Sequence, residues 1–401
     1  MEDLYLDMLK NKVLSLPIVY DEGTCEDAIE KKLTDFQNFV KNAHLSSETL
    51  YDSINKFKVH LREMYNEYYL GHQNKAYELF KKAFDYEKTN KLPIKSVLPK
   101  ESLYRARINK DNKDFSNSEM FHIKFDSRSK VAPQRYSFPG LPCLYLGASA
   151  YVCWTELNRP QTDQFQVAEI HQRDFSKDYL VIDMGLHPLS FYNEWQDRSN
   201  SCKAEHENLT IEDYLRWWPI MAACSIAVKN ENDPFKPEYI FPQFVLQYLL
   251  NEIDDCVGIR YMSIKTGRIT PRQYEADYRT YTNYVIPVKS VKSTDCTGFC
   301  NILSEQFEIG KNISGKELKM ISGMMQDNQI KWNITNSNEE KHPLDKTVIF
   351  TTNGMSLKYE KSEFRKIEKI LNGTAIKELL LQPTPFVPIS TEEIDAMWNK
   401  K

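Results

Sequence analysis

The sequence predicts an α+β fold: an N-terminal helical bundle, then a mixed-sheet domain, then a C-terminal α/β extension. Three observations carry this. Residues 1 to 98 repeat apolar side chains at helical spacing, while residues 99 to 310 interleave short apolar runs with helical stretches. Between them, Lys91-Leu-Pro-Ile-Lys-Ser-Val-Leu-Pro99 reads as a proline-punctuated linker. At 401 residues the chain exceeds one typical core, so boundaries are drawn at 1–98, 99–310 and 311–401.

The bundle is read from four stripes: Leu4, Met8 and Leu9; Ile29, Leu33, Phe36, Phe39 and Val40; Phe57, Leu61, Met64 and Tyr68; and Ala76, Leu79, Phe80 and Phe84. In the middle region, 103–108, 179–183, 258–263 and 283–288 read as strands, the last as the final central strand. Helices are expected over 211–228 and within 237–250. Met120 to Phe125 reads as a strand carrying His122. The extension shows a helix near 316–325, a strand at 347–351 and a charged helix near 360–371.

Lys and Arg number 52 against 56 Asp and Glu, which gives a formal charge of −4 and no electrostatic footprint for nucleic acid. The longest apolar run, residues 217–228, is far below the roughly 20 residues of a membrane span. Eight scattered cysteines suit buried thiols in a reducing compartment, and the first residues lack a signal-peptide pattern, so a cytoplasmic place is expected. Cys296 and Cys300 have ligand spacing but no second pair, so no metal is indicated. Gly-x-Gly-x-x-Gly is missing, which argues against a hydride-transferring Rossmann enzyme.

The most informative segment runs from Arg135-Tyr136 through Pro139-Gly140, the strand-like Cys143-Leu-Tyr145-Leu146, and Ser149 as helix N-cap, to Glu156. The helix is expected to run on until Pro160 stops it. Glu156 is a lone carboxylate among Tyr151, Val152, Cys153, Trp154 and Leu157, and its burial demands a partner: a cation, a cluster of donors or a ligand hydroxyl. A structural ion pair with Arg105 or Arg128 is the competing reading.

Leu103-Tyr-Arg105, the Arg135–Glu156 segment, and Tyr239-Ile-Phe-Pro-Gln243 followed by Gly258-Ile-Arg-Tyr-Met-Ser263 form a spaced Arg, Glu, Ser series. This series resembles the RES family, bacterial NAD-consuming proteins of which many are toxins. The likeness covers the middle half of the chain, and the Tyr-Leu-Gly…Glu segment is its most specific part. It implies an ADP-ribosyltransferase-like fold with Arg105, Glu156 and Ser263 as catalytic residues. It implies too that Arg135, Tyr136 and Tyr145 wall a pocket in which NAD is the substrate, with no separate cofactor. The N-terminal region is similar to the HEPN-like helical domain found in front of some RES proteins. It reads as non-catalytic, because Arg62, its only arginine, lies too close to His60 and too far from His72.

Cleavage of the nicotinamide–ribose bond builds positive charge on the sugar, which a fixed carboxylate stabilises. An arginine fork suits the pyrophosphate, a role open to Arg105 or Arg135. The expected activity is an NAD glycohydrolase or phosphorylase, with ADP-ribosyl transfer to a macromolecule as the alternative. A nucleotide-binding sensor without turnover is the non-enzyme alternative. An antitoxin or regulatory protein is the implied partner, a homo-oligomer stays open, and neither membrane nor nucleic acid is expected.

Overall fold

A computed structural model describes residues 11–42, 48–84, 93–110, 113–188, 190–192, 209–265, 281–318, 359 and 362–373. Three helices open it: α1 (Cys25–Asn42), α2 (Glu48–Tyr69) and α3 (Gln73–Phe84). They match the second, third and fourth apolar stripes, whose residues Ile29, Leu33, Phe36, Leu61, Met64 and Phe80 are all buried. The first stripe, and the strand expected at 347–351, lie outside the described residues.

Then follow β1 (Lys95–Val97), β2 (Leu103–Ile108), β3 (Cys143–Gly147), α4 (Ala150–Glu156), β4 (Phe165–Gln172), β5 (Leu180–Met184), α5 (Ile211–Cys224), α6 (Ile240–Glu252), β6 (Cys256–Met262), β7 (Thr282–Pro287), α7 (Asn301–Gln306), β8 (Phe307–Ile313) and α8 (Glu363–Leu371). The eight strands form one sheet in the order β1-β5-β6-β7-β3-β2-β4-β8. Only β5 and β6 pair in parallel, so the sheet is mixed and the fold is α+β.

One sheet face, carrying Cys143, Ile259 and Val285, shares a continuous core with α1, α2, α3, α5 and α6. Phe36 packs on Trp218 at 4.3 Å between ring centroids and Phe80 on Phe241 at 5.1 Å. The N-terminal helices therefore lie directly on α5 and α6. The alternate residues Leu144, Leu146, Tyr284 and Ile286 face a second cluster with Phe121 and Leu303. A third cluster sets α4 and α8 against β2 and β4 through Trp154, Phe364, Tyr104 and Val167.

Several sequence expectations change. The linker at 91–99 contains β1, an edge strand paired to β5, with Pro93 and Pro99 outside its ladder. The helix expected to reach Val228 ends at Cys224, because Ile226 leaves it to form an isolated bridge with Ile18. Residues 120–125 are no strand: a 3-10 turn ends at Met120 and a bend follows. His122 there is buried, donating from Nδ1 to Ile123 O (2.8 Å) and accepting at Nε2 from Cys300 N (2.9 Å). β4 and β8 were not anticipated. Among the described residues no helix is long and apolar enough to cross a membrane, and no cluster of His, Cys, Asp and Glu suits a metal.

Candidate active site

Helix α4 presents Glu156. Ser149 caps it, accepting at Oγ from Val152 N (3.1 Å). The helix stops at Glu156 rather than at Pro160. Asn158 N donates to Thr155 O and Arg159 N to Trp154 O, both at 3.0 Å, and Asn158 turns left-handed at φ 60°. These paired bonds are the Schellman ending, with asparagine replacing the usual glycine. Arg159 is also left-handed, at φ 54°, a conformation that non-glycine residues rarely hold without cause. Lys265 reinforces the turn, donating from Nζ to Glu156 O (3.1 Å) and Asn158 Oδ1 (2.8 Å), a cation at a helix C-terminus.

The Glu156 side chain is half-buried, less enclosed than its apolar neighbours suggested. Its Oε1 accepts from Asn283 Nδ2 at 2.7 Å. Neither Arg105 nor Arg128 pairs with it: Arg105 Nη1 donates to Tyr145 O (3.1 Å), and Arg128 to Gly140 O and Val291 O. Among the described residues no cation is ion-paired to this carboxylate, so its charge is held by a neutral amide. Asn283 lies on β7, opposite Gly147 of β3 and Tyr261 of β6.

Arg105 occupies a seam. β2 and β3 are bridged at one pair, Tyr104–Gly147, and the Arg105 guanidinium reaches across to the β3 backbone. Burial, and then the like charge of Arg107, push its pKa down to about 10. Arg107, on the same strand face, is bonded to Glu119 O and stacked on Phe115. Cys153 ties α4 to β2 by donating to Tyr104 O (3.2 Å). Burial pushes its thiol up to about 12, and it feels both site charges: Glu156 raises it further and Arg105 lowers it. Cys153 thus stands between the helix that carries Glu156 and the strand that carries Arg105.

Ser263 follows β6, fully buried, with its N–H on Tyr281 O (2.7 Å) and its Oγ accepting from Lys265 N (3.2 Å). Lys265 links it to the Glu156 main-chain carbonyl, not to the carboxylate. Tyr136 is fully buried and packs on Tyr261 at 4.7 Å. Burial, and then the Glu156 charge, hold the Tyr261 hydroxyl well above its ordinary pKa. Arg135 sits beside them, but its fork is held by Cys224 O (2.9 Å) and Ile226 O (2.7 Å) behind α5, with its plane over Tyr239. Three of the six sequence candidates carry a buried polar atom without a hydrogen-bond partner among the described residues: Arg105 Nε, Tyr136 OH and Tyr145 OH. The Cys224 thiol lies near the Tyr136 hydroxyl, and Ser137 and the Tyr136 main chain lie near that of Tyr145, none with hydrogen-bond geometry.

A cleft of about 360 Å³ lies past the end of α4, lined by Thr155, Asn158, Arg159, Ala227, Val228, Glu231, Ile264 and Lys265; Glu156 and the other five sequence candidates are not among its lining residues. This volume is within the range of small-molecule sites. Arg159 and Lys265 against Glu231 leave its lining weakly cationic. Sequence reasoning missed Asn283 and Lys265. Asn283 had a signal, a polar residue in the otherwise enclosed strand Thr282–Pro287; Lys265 had none beyond its place two residues after Ser263.

No family model matches the chain, and no solved structure matches it. Over 344 residues, covering 85% of this chain and 69% of the other, it is 29% identical to a Bacillus subtilis (strain 168) protein described as "Putative toxin YopC". The chain is thus a distant homologue of a protein described as a putative toxin.

Proposed function

We propose that this chain is a RES-type toxin that degrades NAD by cleaving its nicotinamide–ribose bond. The observation that carries the reading is Glu156, a half-buried carboxylate whose side-chain contact is the neutral amide of Asn283 rather than a cation, on a helix whose neighbouring residues Thr155, Asn158 and Arg159 line a cleft of ligand size. A charge fixed in this way stabilises the cation that develops on the ribose as the bond to nicotinamide breaks. The bonding electron pair leaves on the nicotinamide nitrogen. The sugar carbon then takes oxygen from water or phosphate, and with water a proton passes to solvent. Arg105, with an unused Nε and a guanidinium already desolvated, is suited to an anionic oxygen of the dinucleotide. The unpartnered Tyr136 and Tyr145 hydroxyls fit a ligand rich in hydrogen-bonding groups. The toxin described for the distant homologue agrees with an activity that depletes a central metabolite.

The test is mass spectrometry of NAD products with the parent protein and Glu156→Gln, with and without phosphate. The parent is expected to release nicotinamide with either ADP-ribose or its phosphate ester. The variant should be slower by about 10²–10³, the scale for loss of one preorganised electrostatic contact. Equal rates for the two proteins would remove Glu156 from the chemistry. Labelled ADP-ribose on a macromolecule would reassign the acceptor.

A further inference from the structure

We propose that α8 is a clamp across the β2–β3 seam, and that Glu368 is the positioning residue that sets the helix of Glu156 against the strand of Arg105. The proposal rests on the function assigned above. Glu368 is fully buried, yet it comes from a segment more than 200 residues after the helix it touches. Its Oε1 accepts from Ala150 N (2.8 Å), the first amide of α4, and from the Tyr359 hydroxyl; its Oε2 takes Arg365 Nη1 (3.2 Å). Ser149 already satisfies the amide of Val152, so Glu368 supplies an acceptor that the local chain does not.

The same helix grips the other side of the seam. With the Asn372 amide oriented by its surroundings, its nitrogen, with two hydrogens to give, lies 3.0 Å from Glu169 Oε1, 3.0 Å from Glu368 O and 3.3 Å from the Tyr104 hydroxyl. Tyr104 precedes Arg105 on β2, and α4 ends in Glu156. Phe364 packs on Tyr151 and Trp154 of α4, both at 5.3 Å between ring centroids. One helix therefore binds the element of the acid and the element of the arginine, where the sheet itself offers a single bridge. An apolar side chain would serve packing here at less desolvation cost than a carboxylate. The carboxylate adds direction: a bond to one named amide.

The test compares the full-length parent with Glu368→Leu, which keeps bulk and removes both acceptors, and with Glu368→Gln, which keeps one acceptor oxygen. Two readouts are taken: NAD cleavage per folded molecule, resolved into kcat and KM, and hydrogen exchange of the α4 amides. Glu368→Leu is expected to lower kcat by about ten- to a hundredfold with little change in KM, and to speed exchange at Ala150 to Glu156. Glu368→Gln should recover most of both. A Leu variant that loses thermal stability but keeps kcat per folded molecule and parent-like α4 exchange would overturn the clamp. If Glu368→Leu does not fold, Asn372→Ala takes its place, and unchanged α4 and β2 exchange there would overturn it equally. Exchange needs no turnover. If the parent releases no nicotinamide, the functional reading falls, and the clamp is judged by exchange alone.

Discussion

Replacing Asn283 by Asp puts a second carboxylate against Glu156 without a change of shape. Asn283 is 3% exposed and its amide nitrogen is 2.7 Å from Glu156 Oε1, so the new oxygens cannot escape into solvent. Two unit charges that relax to about 4 Å at an effective dielectric near 20 repel by about 4 kcal/mol, or about 3 pKa units. The variant pair therefore keeps one proton through the ordinary carboxylate range and loses it only near neutrality. In that window the folded state binds more protons than the unfolded state, so stability falls as pH rises. The assay is thermal unfolding of parent and variant at pH about 5 and about 8. The variant should lie close to the parent at the lower pH and several degrees below it at the higher. An equal difference at both values would mean that the two side chains do not touch, and would remove the neutral-amide environment on which the role of Glu156 depends.

Gly147→Ala should displace α4, because the added Cβ would stand 2.5 Å from Val152 Cγ1 and 2.6 Å from Cys153 Sγ. A stability loss of about 1–3 kcal/mol with a fall in nicotinamide release is expected, read by thermal unfolding and product assay. His122 is held neutral, its pKa pushed down to about 4 mainly by burial. The unfolded chain takes up that proton near 6.5, so stability should fall by ~3 kcal/mol as pH drops from about 6.5 to about 4. His122→Gln should flatten this acid limb in a pH series of thermal unfolding.

The helices of the N-terminal region were legible because their apolar residues keep a 3.6-residue period and face one core. The turn, strand and capped helix leading to Glu156 were legible for a similar reason, since Pro139-Gly140, Cys143–Leu146 and Ser149 each have a local physical signature. β4 was hidden by its polar residues. Gln166 and Gln172 are buried, but each finds partners across the sheet, such as Asn312 for Gln166 and the carbonyls of Leu98 and Pro99 for Gln172. Read along the chain, a strand carrying buried amides looks like surface, although here Gln172 Oε1 has no hydrogen-bond partner among the described residues. β1 was hidden by the prolines beside it. The partner of Glu156 was hidden by distance, because an asparagine 127 residues away becomes its neighbour only once β7 lies next to β3. The early end of α4 was within reach, since asparagine is the commonest substitute for glycine at a left-handed helix stop.

The order of the clamp along the chain has a consequence for synthesis. A ribosome delivers Arg105 and Glu156 long before it delivers Glu368 and Asn372. Under the proposed arrangement, a nascent polypeptide holds its acid and its arginine on two elements not yet latched together. If the proposed function and clamp hold, a polypeptide truncated upstream of that point is expected to be less active than the full one.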